Sequence, residues 1–185
     1  PVKIVSEVTE FSSGGWSLIY TRNDGKLFGL GYTGWAQFGI KESYFQFSPQ
    51  EVNVSGVERI EVTHDTNAIW LQNNVFSVSG SNEGSKLMLG HDTAKISNFV
   101  KSNFETPRSY SGGSEHALLV DNNGSLWAIG DNSWGRLGIS EMKTIEPIKV
   151  VNGGVKSVHS RSQTFFIKED GSLWGMGRND YGQLG

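Results

Sequence analysis

At 185 residues with no cysteine, the chain is the size of a single domain and excludes disulfides, thiolate nucleophiles and cysteine-ligated zinc. Its net charge of −3 is spread out, and a sequence pI of about 5.8 disfavours a nucleic-acid-binding face, which clusters Lys and Arg. No apolar run approaches bilayer-spanning length, and Pro1–Glu7 lacks the charged-then-apolar layout of a signal peptide, so the reading is of a soluble chain whose compartment, cytoplasmic or secreted, stays open.

Taken in order, the chain opens with Pro1-Val2-Lys3-Ile4-Val5, which echoes Pro147-Ile148-Lys149-Val150-Val151. Next comes a turn and β-prone run, Asp24-Gly25-Lys26-Leu27-Phe28-Gly29-Leu30-Gly31, followed by a corner closing at Gly39. A degraded copy runs from Asn73-Asn74 through Gly80 to Gly90. The fullest copies are Asn123–Gly138 and Asp170–Gly185. The glycines closing the first half of each copy, Gly31, Gly80, Gly130 and Gly177, lie 49, 50 and 47 residues apart. Those closing the second half, Gly39, Gly90, Gly138 and Gly185, lie 51, 48 and 47 apart. A period near 50 marks a propeller blade or a solenoid coil.

The content of the unit selects the propeller. Asn-Gly and Asp-Gly pairs before short β-prone runs are hairpin signals, because both turn residues need positive φ. The third copy predicts strands at His116–Val120, Leu126–Gly130, Ile148–Val151 and Val155–Val158, with a corner at Gly135–Gly138. The fold class is therefore all-β, with blades of about four antiparallel strands. Residues 1–185 form one repeat domain, with units starting near 1, 49, 96 and 147. Trp127 and Trp174 are expected to wedge between blades. The second copy, with Asn73-Asn74 in place of Asp-Gly, predicts a bulge or an altered turn. Its corner, Gly80 to Gly90, is two residues longer than the others. The His116 position reads Trp16, Thr66 and Gln163 in the other copies, so it is no repeated functional histidine.

The run Asp170-Gly171-Ser172-Leu173-Trp174-Gly175-Met176-Gly177-Arg178-Asn179-Asp180-Tyr181-Gly182-Gln183-Leu184-Gly185 resembles the repeat of the regulator of chromosome condensation family. The lead-in Ser111-Gly112-Gly113-Ser114-Glu115-His116 is also similar. That resemblance implies a seven-bladed β-propeller, so four units are expected to belong to a longer array. The alternative is self-association, for example two copies in an eight-bladed ring.

Chemical motifs are sparse. Gly29-Leu30-Gly31-Tyr32-Thr33-Gly34 matches the dinucleotide pattern, but a repeat corner follows where a helix is needed. His64, His91, His116 and His159 lack metal-ligand spacing. Asn53-Val54-Ser55 and Asn123-Gly124-Ser125 are glycosylation sequons, the second better explained by turn geometry. No catalytic, cofactor or metal residue is assigned. Loops at 40–48, 91–104 and 139–146 occupy equivalent places in the repeat, the position where repeat proteins carry binding loops. Tyr44, Phe45 and Phe47 on the first, with His91 and Asp92 on the second, are the candidate partner contacts. The rings either meet a partner or fold back over the blade edge. The expected function is a non-enzymatic scaffold that binds a protein through these loops. The resemblance adds a second reading, guanine-nucleotide exchange on a small GTPase, and a third, a secreted bacterial binding or inhibitor module.

Overall fold

A computed structural model describes residues 1–36, 38, 44–64, 66–91 and 93–185. The strands form four antiparallel sheets in which neighbours are consecutive in sequence. The first comprises β1 (Val8–Gly14), β2 (Ser17–Arg22), β3 (Lys26–Tyr32) and β4 (Phe45–Ser55). The second comprises β5 (Val57–Val62), β6 (Thr66–Leu71), β7 (Val75–Ser81) and β8 (Lys95–Lys101). The third comprises β9 (Ser109–Gly112), β10 (His116–Val120), β11 (Leu126–Asp131) and β12 (Lys143–Val151). The fourth holds β13 (Val155–Ser160), β14 (Gln163–Lys168) and β15 (Leu173–Gly177). Four-stranded meanders of this kind are propeller blades. Two compact units result, Pro1–Ser81 with Lys95–Lys101 and Asn82–Ala94 with Ser102–Gly185. Among the described residues no helix is long and apolar enough to cross a membrane.

The sheets correct the strand frame. Val155–Val158, expected as the fourth strand of the third unit, opens the fourth sheet instead. The strand missing from the sequence reading is Ser109–Gly112, which pairs with β10 from Ala117↔Gly112 to Val120↔Ser109. Ser-Tyr-Ser-Gly has no apolar alternation to betray it, because its serines work sideways. Ser109 Oγ accepts the Val158 N–H (3.2 Å) and Ser111 Oγ the Ser160 N–H (2.9 Å), so β9 is laced to the backbone of β13. The first unit repeats the device: Glu10 Oε1 accepts the Ile60 N–H (3.2 Å) and Ser12 Oγ the Val62 N–H (3.0 Å). Side chains on the first strand of one sheet thus satisfy backbone amides on the first strand of the next. Pro1–Val5, though it echoes the end of β12, carries no strand, and Val2 and Ile4 are exposed.

In the second sheet the β6–β7 ladder is unbroken from Thr66↔Gly80 to Leu71↔Val75. The departure from the repeat lies in the turn, where Asn73 and Asn74 adopt φ of 65° and 58°. A bulge does occur, but on the other side of the third strand and in every four-stranded sheet: at Gly29/Gly31, Val78/Gly80 and Ala128/Gly130. Gly31 and Gly130 are required there. Their φ is 103° and 105°, and a Cβ on either would sit 2.3 Å from the carbonyl oxygen of the residue just before the neighbouring strand, Trp16 or Glu115. The same ladders place Ser17, not Trp16, opposite Gly31, where the third sheet has His116 opposite Gly130.

The corners after the third strands of the second, third and fourth sheets share a construction. Asn132 Oδ1 accepts the Leu137 N–H (2.8 Å), and its Nδ2 donates to the carbonyls of Ile139 (2.8 Å) and Glu141 (2.7 Å). Asn82 does the same for Leu87 N–H (2.9 Å) and His91 O (2.8 Å), and Asn179 Oδ1 holds Leu184 N–H (2.9 Å). Leu137 is thereby driven into the core formed by Leu118, Val120, Leu126, Ala128, Val155, Val158 and Phe166. Phe38 fills the matching place in the first unit, among Ile19, Leu27, Val52, Ile60 and Val62. This geometry corrects the corner length. Leu87 is the counterpart of Leu137, so Met88, with φ of 56°, stands where Gly138 has 69°. Gly90 lies two residues beyond, and the extra length follows the corner instead of interrupting it. Gly39 lies outside the described residues.

The wedge between the third and fourth sheets is the corner leucine, not the tryptophan. Trp174 is 50% exposed, stacked on Phe166 (6.2 Å) beneath the Lys168 ammonium, with its N–H donated to Ser172 Oγ (2.8 Å). Trp127 is half-buried, its N–H on Asp121 Oδ2 (2.8 Å), with Phe104 at its edge and Lys149 above. Both rings roof their own turns because a polar N–H next to an Asp- or Ser-rich hairpin finds its acceptor there. Removing the fully buried Leu137 side chain by Leu137→Ala is expected to cost about 2–5 kcal/mol in urea unfolding, more than Trp174→Ala. Equal losses, or the reverse order, would mean the corner is not the wedge.

Candidate functional site

The first unit gathers aromatic rings at one end of its first sheet. Tyr32, the last residue of β3, is the register partner of Phe45, the first of β4. Alternation along β4 puts Phe47 on the same side, and the two phenyl rings stack at 6.1 Å with 20° between planes. Tyr44 lies 6.5 Å from Tyr32, and Phe45 meets Tyr32 edge-on at 5.4 Å. Trp35, from the corner, meets Tyr32 edge-on at 6.4 Å. A Cβ on Gly34 would collide with the Tyr32 hydroxyl, so glycine is what lets the corner fold over that ring. Tyr44, Phe45 and Phe47 are 70%, 54% and 94% exposed. Of the two dispositions open to these rings, they project outward and do not close over the blade edge.

Tyr32, Trp35 and Lys95 belong to this surface and were missed by the sequence reading. Lys95 Nζ donates to Gly34 O (2.9 Å) and sits 5.3 Å over the Trp35 ring. A signal for Trp35 was present: an aromatic residue follows the strand-closing glycine by four positions at Trp35, Trp134 and Tyr181. The second unit repeats the pairing, with the Arg178 guanidinium 4.9 Å over Trp134 and held by Asp180 (2.6 Å). In each unit a cation from one sheet covers the corner ring of the sheet before it.

His91 is exposed in the second unit, its Nδ1 accepting the Thr93 N–H (3.4 Å) in its own loop. Asp92 lies outside the described residues. The dinucleotide-like run ends in a turn at Gly34–Trp35, as the repeat required. Among the described residues no group of three His, Asp or Glu could hold a metal ion.

His116 is a different matter, buried completely between β10 and β13. Its Nε2 lies 2.5 Å from Ser160 Oγ, which in turn meets Thr164 Oγ1 (3.1 Å), while its Nδ1 has no partner. A Cβ on Gly113 would lie 2.5 Å from the imidazole Cε1 and 2.9 Å from that Nδ1, so glycine is what lets the backbone pack against the ring. Burial, then the nearby Arg136 charge, lowers the His116 pKa from 6.5 to about 4; Asp131 opposes this and Lys86 adds to it. The seam is thus closed by a neutral imidazole acting as a packing group.

Solved structures locate this fold among known ones. No protein-family model and no curated protein matches the sequence. The structure of Prp20p from Saccharomyces cerevisiae, described with its binding to Gsp1p and histones, superposes with a TM-score of 0.78 at 20% identity. That match covers 96% of this chain and 46% of Prp20p. Yeast RCC1 (Prp20) in complex with Kap60 gives 0.77 at 20% identity, over 96% and 45%. Human WBSCR16 gives 0.78 at 14% identity, over 97% and 51%. The chain spans about half the length of these proteins. At such identities the likeness establishes the fold, a β-propeller of the type the repeat resembled.

An unfolded histidine binds a proton near pH 6.5 and the native His116 only near 4, so unfolding is favoured as pH falls between these values. Stability is expected to be complete above pH 6.5 and to drop by about 3 kcal/mol on reaching pH 4. His116→Gln, which installs the residue that β14 carries at Gln163, should flatten that dependence in urea titrations. An unchanged slope in the variant would show that His116 is not its source.

Proposed function

We propose that this chain is a non-enzymatic β-propeller scaffold that binds a protein partner through the aromatic surface of Tyr32, Trp35, Tyr44, Phe45 and Phe47. The observation carrying this reading is the exposure of three linked rings at 70%, 54% and 94% at the start of a strand. Interface hot spots are enriched in aromatic residues that bury large area at small entropic cost. A contiguous apolar surface left to water is the mark of an interaction site in a soluble domain. The Lys95 ammonium beside Trp35 supplies a polar rim. Prp20p, with the same fold, is described with protein partners.

Nucleotide exchange on a small GTPase is the second reading, favoured by the superposition on Prp20p and its reported binding to Gsp1p. Fold alone does not carry that activity. The two readings separate in one pair of measurements. A Tyr44→Ser/Phe45→Ser/Phe47→Ser variant with unchanged far-ultraviolet circular dichroism should lose the partners that the parent chain retains on affinity resin. Retention of the same partners would remove this surface from the account. Accelerated release of labelled guanine nucleotide from a small GTPase by the parent chain would replace the scaffold reading with the exchange one.

A further inference from the structure

The chain contains two Asn-Gly pairs, Asn123-Gly124 and Asn152-Gly153, and they face each other across the seam between the third and fourth sheets. A Cβ on Gly153 would meet Asn123 O at 3.7 Å, and Val155 N–H donates to Gly124 O (2.9 Å). Their chemistry should nevertheless differ. In an Asn-Gly pair the glycine amide nitrogen can attack the asparagine Cγ, because no side chain on the glycine obstructs the approach. Whether it does depends on the freedom of that nitrogen and of the carboxamide.

Asn123-Gly124 is tied down. Gly124 N–H donates to Asp121 O (3.0 Å), Asn123 N–H and Ser125 N–H both donate to Asp121 Oδ1 (2.9 Å each), and Gly124 is buried. Asp121 is itself fixed by the Trp127 N–H on its other oxygen. To reach Cγ, the Gly124 nitrogen would have to give up its bond and deform a turn closed on both sides. Asn152-Gly153 has none of these restraints. Asn152 is exposed, and among the described residues neither its carboxamide nor the Gly153 N–H meets a hydrogen-bond partner. The pair's own tether is the long contact from Ser125 Oγ to Asn152 O (3.4 Å).

We propose that Asn152 is a site of spontaneous covalent modification, converting through a cyclic imide to aspartate and β-linked isoaspartate. The Gly153 nitrogen forms a bond to Asn152 Cγ and loses its proton. The Cγ–NH2 bond breaks, and ammonia leaves. Water then opens the five-membered imide at either carbonyl, giving the α-linked or the β-linked acid. Water is the co-reactant and no electron changes hands. Both products add a negative charge to the connector, and the β-linked one lengthens the main chain by a methylene. That change falls three residues before Val155, a fully buried member of the core, and beside Gly154 O, which accepts the Glu169 N–H (2.8 Å). Ageing at this position should therefore loosen the join between β12 and β13.

The test is peptide mapping by mass spectrometry of the folded chain incubated at mildly alkaline pH, beside the chain in urea. In the folded chain, Asn152 should convert several-fold faster than Asn123; in urea the two should converge, since the peptide pairs are chemically alike. The aged chain should unfold at lower urea than fresh chain, and Asn152→Gln should abolish that drift. Equal rates at the two sites when folded, or faster conversion at Asn123, would overturn the proposal. So would an Asn152 that converts in urea yet stays intact in the folded chain.

Discussion

The structure depends on a side-chain amide at the blade corners, buried at Asn82 and Asn132 and repeated at the exposed Asn179. A chain leaving the third strand of a blade must reverse, cross the sheet end and begin the fourth strand, and it leaves several backbone groups unpaired in doing so. Asn132 settles three of them at once by accepting the Leu137 N–H and donating to the Ile139 and Glu141 carbonyls. Buried main-chain groups without partners are costly, so this satisfaction is what makes so tight a reversal tolerable in an apolar setting. It also fixes direction. With its amide held, Leu137 projects into the space that Val155, Val158 and Phe166 of the following sheet complete. The polar staple and the apolar wedge are two halves of one device.

The first sheet shows how far the device can vary. Thr33 stands where Asn132 stands, and Phe38 where Leu137 stands. The backbone course is kept: Thr33 N–H donates to Tyr44 O (2.9 Å), as Asn132 N–H does to Met142 O (2.9 Å). The larger ring of Phe38 fits because Gly29 opposes it, where a Cβ would meet the ring at 2.7 Å. Residue size is thus exchanged between the corner and the strand beneath it, which is how close packing tolerates divergence among repeats.

Much of this was legible in the sequence, and the failures have physical causes. Glycine spacing revealed the period because bulges and left-handed turns demand glycine at fixed places, as at Gly31, Gly80, Gly130 and Gly177. The tryptophans misled because bulk was equated with burial, whereas the indole N–H of Trp127 and Trp174 is drawn to the polar turn beside it. The corner asparagines Asn82, Asn132 and Asn179 recur two places after the glycine, a pattern as regular as the glycines but easily taken for generic turn chemistry. Strand Ser109–Gly112 was invisible because, beside its pairing with β10, its serine side chains bond to the backbone of another sheet, and no local apolar pattern encodes that. The aromatic surface was half visible: Tyr44, Phe45 and Phe47 stand together in sequence, while Tyr32, Trp35 and Lys95 join them only through register and the corner.

If the corner staple is what holds a blade to its neighbour, its amides should open only when the second unit unfolds as a whole. Native-state hydrogen exchange at the Leu137 N–H tests this directly. The account predicts protection equal to that of the central strand amides of Leu118 and Ala128. Exchange at the rate of an exposed turn amide such as Gly171 would show that the corner opens independently, and that sheet hydrogen bonding alone carries the join.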